Sequence, residues 1–257
     1  MFRDDYDRVA SVAVEKIKLL NTSMFSYLVI SMLAGFYVGF GVLLSFTVGG
    51  MLQENPASKL IMGMCFGAAL SLVIMSGAEL FTGNNLVMSA GTLTHKVTTG
   101  DALKIWSFSW LGNLVGAVAL ALLFSATGLY RGNTLNSRAG AAQVKMNLGF
   151  GPLFVRAILC NMLVCAAVWI SFRTKSDSAK LIMVFWCLLV FFTTGFEHSI
   201  ANMTTLTLAL LNDGGVTGIN FHGYIYNLIT VTLGNMVGGI FLIAVPYYMS
   251  ARSAQDE

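Results

Sequence analysis

The chain has 257 residues, 56% of them hydrophobic and only 11% charged, about half the charge that a soluble domain needs to cover its surface. Water is therefore not its main solvent, and neither a soluble enzyme nor a nucleic-acid-binding module fits. The net charge of +3 carries no information about partners, because in a membrane chain the placement of basic residues matters more than their sum.

Residues 1–22 carry Asp4, Asp5, Asp7 and Glu15, which break any apolar signal core, and no small-residue cleavage site follows. The segment is expected to stay in the mature chain. Val9, Val12, Ala13, Ile17 and Leu20 recur at helical spacing, with Arg8, Glu15 and Lys18 elsewhere on the wheel. This pattern predicts an amphipathic helix that either lies in the membrane interface or caps the bundle against neighbouring subunits.

Six membrane spans follow, over residues 25–50, 60–94, 103–128, 153–172, 180–211 and 222–249. The second and fifth are too long for one crossing. Polar runs interrupt them at residues 79–85 and 193–199, and non-helical backbone at that depth survives only when it is buried in protein or lines a wet cavity. The third span reads Leu111-Gly112-Asn113-Leu114-Val115-Gly116-Ala117 and the sixth Leu233-Gly234-Asn235-Met236-Val237-Gly238-Gly239. Each follows a broken span with a glutamate in the break. Three spans per half make these inverted repeats, residues 25–128 and 153–249, within a single channel domain over 1–257, and such repeats place a solute site near the midplane. Four Gly-x-x-x-Gly faces, beginning at Gly35, Gly63, Gly112 and Gly234, let the helices pack closely in lipid.

Basic residues set the orientation. With the N-terminus cytoplasmic, inside segments hold Arg3, Arg8, Lys16, Lys18, Lys96, Lys104, Arg173, Lys175, Lys180 and Arg252, against Lys59, Arg131, Arg138 and Lys145 outside. Both termini are therefore expected in the cytoplasm. Cys65, Cys160, Cys165 and Cys187 lie in apolar segments without Cys-x-x-Cys spacing and read as packing residues rather than a disulfide or zinc framework.

Glu79, Glu197 and His198 are the ionisable groups placed well inside the bilayer, where an unpaired charge costs at least about 2.5 kcal/mol. Each glutamate either serves the solute or accepts hydrogen bonds from donors freed by its helix break. His198 can donate a hydrogen bond to an anion and exchange a proton near neutral pH. On the residues alone, Phe66, Phe81 and Phe191 read as core or lipid-facing aromatics.

At Glu79-Leu80-Phe81-Thr82-Gly83 and Gly195-Phe196-Glu197-His198-Ser199-Ile200-Ala201-Asn202-Met203 the chain closely resembles the formate/nitrite transporter family, whose members include hydrosulfide channels. The resemblance extends through Asn161-Met162-Leu163-Val164 and Gly234-Asn235. It implies an all-α, aquaporin-like integral membrane fold in a homopentamer. Each protomer would carry its own pore for a small monovalent anion such as formate, nitrite or hydrosulfide. No cofactor or metal is implied. Carried over residue by residue, the resemblance makes Thr82 the tip of the loop in the second span and His198 its pore partner. Leu70, Leu80 and Phe81 would form a cytoplasmic-side constriction, and Phe66, Val164 and Phe191 an outer one. Lys145, Asn161, Glu197 and Asn235 are assigned to the polar set along the path.

Two apolar constrictions around a polar chamber would hinder hydrated ions by dewetting. The expected mechanism has Lys145 attracting an anion, which then crosses with its charge reduced by proton sharing with His198 or water. A neutral-solute pore of the aquaporin type is the principal rival, but no Asn-Pro-Ala box occurs. A haem or zinc enzyme would need more ligands at membrane depth than the chain supplies.

Overall fold

The computed structural model describes residues 2–53 and 55–252, and every regular element among them is helical. In chain order these are α1 (Arg3–Thr22), α2 (Met24–Leu52), α3 (Ser58–Ser76), α4 (Phe81–Leu93), α5 (Thr99–Ala126) and α6 (Gly132–Asn147), then α7 (Phe150–Arg173), α8 (Asp177–Thr194), α9 (Ser199–Leu211), α10 (Phe221–Gly239) and α11 (Val245–Arg252). A π-helical turn, Ile240–Ala244, joins α10 to α11. Among the described residues six helical segments are long and apolar enough to span a membrane: α2, α3, α5, α7, α8 and α10 with its continuation. The protein is a multi-pass membrane protein.

Four of the six spans, α2, α5, α8 and α10, start where a side chain takes up orphan backbone donors. Ser23 caps α2 and Ser176 caps α8, Thr98 and Asp101 close a reciprocal capping box on α5, and Asn220 caps α10. The two long spans break as expected, although the gaps are shorter than the polar runs suggest. The first gap covers residues 77–80 and the second 195–198. In each, a glycine ends the leading half-helix in the left-handed region, Gly77 at φ 71° and Gly195 at φ 85°. Thr82 therefore sits in the first turn of α4, not at a loop tip.

The inverted repeat is visible in the packing. Gly116 of α5 lies against the carbonyl of Met32 on α2, and Gly238 of α10 lies against the carbonyl of Ile158 on α7. A side chain at either position would collide with that backbone, so these glycines set the distance between the paired helices. The Gly63 and Gly67 face of α3 meets Thr193 and Phe185 of α8 across the two halves.

Two further elements pack against the spans. The connection between the repeats forms a helix, α6, whose buried residues Leu135, Arg138, Ala139, Ala142 and Met146 follow helical spacing. The N-terminal helix α1 packs one face on its own protomer and leaves Val14 and Leu19 exposed. Tyr6, Val9, Ala10 and Ala13 are buried within the same protomer, with Ala13 packed on Gly91 of α4. Arg8 donates to the Phe172 carbonyl at 2.8 Å, Asp5 pairs with Arg173 at 3.0 Å, and Tyr6 donates to the Ala244 carbonyl of the π turn at 3.1 Å. Helix α1 thus closes over the end of the bundle that carries both termini.

Candidate functional site

The two helix breaks are held by one device used twice. Asn113 of α5 accepts from the Phe81 N–H at 2.9 Å and donates to the carbonyls of Ser31 and Glu79 at 2.7 and 2.8 Å. Asn235 of α10 accepts from the Ser199 N–H at 2.9 Å and donates to the carbonyls of Ala157 and Glu197 at 2.8 and 2.9 Å. A single buried amide satisfies the backbone on both sides of each gap.

The glutamates are consequently free for other partners. Glu79 accepts from Lys16 Nζ at 2.5 Å, Tyr27 Oη at 3.0 Å and Asn84 Nδ2 at 3.2 Å. Glu197 accepts from Lys145 Nζ at 2.8 Å and Asn202 Nδ2 at 2.7 Å, and Asn202 also donates to Asn227 at 2.9 Å. Each break thus carries a lysine–glutamate pair backed by an asparagine five residues after the acid. Pairing removes most of the cost of burying either charge alone.

Each pair lines a cavity. On the termini side, Lys16, Glu79, Asn84, Leu70, Leu80 and Phe172 are among the residues around about 290 Å³. On the far side, Lys145, Glu197, His198, Phe66, Phe191, Lys59 and Arg156 are among those around about 280 Å³. Between them is a void of only about 10 Å³, bounded by Val38, Phe66, Ala69, Leu70, Leu80, Val164, Leu188, Phe191 and His198. That is room for one water at most. Phe66 meets Phe191 edge-on with ring centroids 5.5 Å apart, and Phe191 stacks on His198 at 5.9 Å.

His198 is the polar residue of this neck, and its ring is committed at both nitrogens. Nδ1 accepts from the Ala201 N–H at 3.1 Å, capping α9. A neutral ring must then carry its hydrogen on Nε2, which lies 3.0 Å from Thr82 Oγ1 and donates to it.

A vestibule, an apolar neck and a second vestibule, built largely from two inverted halves, describe a permeation path. The formate/nitrite transporter family matches residues 3–249. The chain belongs to this family. Nitrite transporter NirC of Escherichia coli strain K12 is 37% identical over 258 residues, covering 99% of this chain and 94% of that protein. A solved FNT family ion channel superposes with a TM-score of 0.90 at 36% identity, covering 96% of this chain and 98% of that one. A pentameric formate channel with formate bound superposes with a TM-score of 0.78 at 27% identity, covering 88% and 96%.

Within this family member, only some of the residues expected at the pore meet at the neck. Phe66, Leu70, Leu80, Val164 and Phe191 meet with His198 around one short neck, so the two constrictions do not enclose a polar chamber. Phe66 and Phe191 face the far cavity, Leu70 and Leu80 the termini-side cavity. Phe81 does not join them. As the first residue of α4 it turns into a groove with Trp106, Trp110 and Met236, whereas Leu80, the extended N-cap before it, faces the neck. Asn235 and Asn161 also stand apart from the path: Asn235 is spent on backbone, and Asn161 donates to the Asn235 carbonyl at 2.7 Å. Thr82 is fully buried and reaches the neck through His198. The expectation that the glutamates satisfy donors freed by the breaks gives way to the asparagine pair.

Sequence reading missed Lys16, Asn84, Asn202 and Asn113 as site residues. Their signals were present. Lys16 stands on the apolar stripe of α1 at helical spacing from Val9, Val12 and Leu20, Asn84 and Asn202 each follow a glutamate by five residues, and Asn113 matches Asn235 in the repeat. Arg138 has no legible counterpart. It is fully buried, with its guanidinium 5.3 Å from the Phe46 ring, 5.5 Å from Phe124 and 5.0 Å from Tyr130. Burial lowers its pKa to about 10, so it keeps its charge at neutral pH and rests on the ring faces as a cation–π contact.

Proposed function

We propose that each protomer passes small monovalent anions, nitrite and formate first among them, through the neck at Phe66, Leu70, Leu80, Val164, Phe191 and His198. In this reading the protein is a homopentamer with both termini cytoplasmic. The observation that carries the proposal is the short apolar neck between two vestibules that contain cations. Pentameric assembly is supported by the likeness to the pentameric formate channel, and orientation by the excess of basic residues at the termini end.

A bare anion in the neck would lose its hydration shell at a cost of several kcal/mol even in a relaxed protein. Anions of weak acids escape most of that cost by taking a proton. His198 is a poor source for it, since protonating Nδ1 would break the bond that caps α9. Water in the vestibules supplies the proton instead. The role of His198 is to cap α9 through Nδ1 and to tie the second break to the first through its Nε2–H bond to Thr82 Oγ1, which fixes its ring in the wall of the neck. Lys145 and Lys16, each neutralised by a glutamate, hold the walls of the two vestibules.

Parallel fluxes of nitrite, formate, hydrosulfide, lactate, chloride and glycerol into proteoliposomes test this reading. Nitrite and formate are expected to enter well ahead of lactate, and glycerol to be excluded. Glycerol entry with no anion flux would replace the proposal with a neutral-solute pore.

A further inference from the structure

The two vestibules differ in their charge. In the termini-side cavity the ionisable lining residues are Lys16 and Glu79, which pair with one another. In the far-side cavity Lys145 and Glu197 pair in the same way, but Lys59 and Arg156 line it as well. Neither has a carboxylate or any other hydrogen-bond partner for its side chain among the described residues. Lys59 projects from the start of α3 to Gly195, its Nζ 3.1 Å from where a Cβ would stand, over the C-terminal end of α8, where the helix dipole favours a cation. Arg156 is half-buried on α7, and its carbonyl accepts the Glu197 N–H at 3.2 Å. The buried charge of Arg138 lies behind Phe46, another wall of this cavity.

We propose that Lys59 and Arg156 form an anion-binding subsite in the far-side vestibule, with no counterpart on the termini side. It takes the same small monovalent anions that the path conducts, and so rests on the function proposed above. Recruitment belongs to these two cations rather than to Lys145, because the field of Lys145 is cancelled at short range by Glu197. A binding well on one side of the neck raises occupancy from that side. It leaves the limiting permeability equal in both directions, as reversibility requires. The asymmetry therefore shows in half-saturation.

The test measures the half-saturating nitrite concentration from each face, at low ionic strength, in proteoliposomes whose sidedness is scored by accessibility of a C-terminal tag. The double variant Lys59→Gln/Arg156→Gln is expected to raise the far-face value about fivefold, to flatten its dependence on salt, and to leave the termini-face value unchanged. The charge-keeping pair Lys59→Arg/Arg156→Lys should restore the unmodified far-face value, which separates loss of charge from loss of fold. An unchanged far-face value in the correctly assembled Gln variant, or an equal shift at both faces, would overturn this inference alone. Absence of nitrite and formate flux in the unmodified protein would overturn the proposed function itself.

Discussion

At the scale of single residues, the asparagines of α5 and α10 decide whether the two breaks exist. Asn113 and Asn235 each make three buried hydrogen bonds to backbone. A leucine at either position fills similar space but strands the N–H and the carbonyl at the break, Phe81 and Glu79 or Ser199 and Glu197, away from water. Leaving buried polar groups without partners costs about 1–3 kcal/mol for each group. Asn113→Leu and Asn235→Leu are expected to lower stability by about 3 kcal/mol or more, and by similar amounts because the halves are equivalent. Thermal unfolding of both variants in detergent checks this, and a midpoint equal to that of the unmodified protein would show that the breaks are held elsewhere. Charge placement was less legible than this device. Lys145 and Glu197 were both readable as polar path residues, but only their 2.8 Å separation shows that they neutralise one another and leave recruitment to other cations.

At the scale of elements, hydropathy located the spans to within a few residues and polar interruptions identified the broken ones, because lipid imposes a long apolar segment and penalises exposed backbone. The ends of the breaks were harder to see. Asn84 and Asn85 look like loop residues, yet both lie in α4. Asn84 is polar because it serves Glu79. The place of α1 was equally hidden, since an amphipathic face does not name what covers it. Its contact with α4 is close, with Ala13 set against Gly91. Ala13→Leu is expected to overpack this contact and cost about 1–3 kcal/mol, with the strain falling on α1 first. Limited proteolysis should then cut within residues 3–22 faster than in the unmodified protein. Equal rates would mean that α1 is held mainly by its polar contacts at Asp5, Arg8 and Lys16.

At the scale of the whole molecule, each inverted half puts a glutamate on one side of a neck that neither half makes alone, and α1 and α6, outside the repeats, supply the paired lysines. Leu70 and Leu80 come from the first half, and Val164, Phe191 and His198 from the second. Assembly as a pentamer is expected to appear as a five-chain species in native mass spectrometry, and a stable trimer or tetramer would contradict it. A C-terminal reporter should be active only in the cytoplasm, and activity confined to the other side would reverse the orientation. The central claim is that small anions cross at the neck and are selected by its width. The ratio of formate to lactate flux in proteoliposomes tests it most directly, compared among the unmodified protein, Leu80→Ala and Phe191→Ala. Removing either wedge should let the larger anion through and lower the ratio about tenfold, in line with the 1–3 kcal/mol that close apolar fit contributes to discrimination. A ratio unchanged in both variants would mean that the anion takes another route.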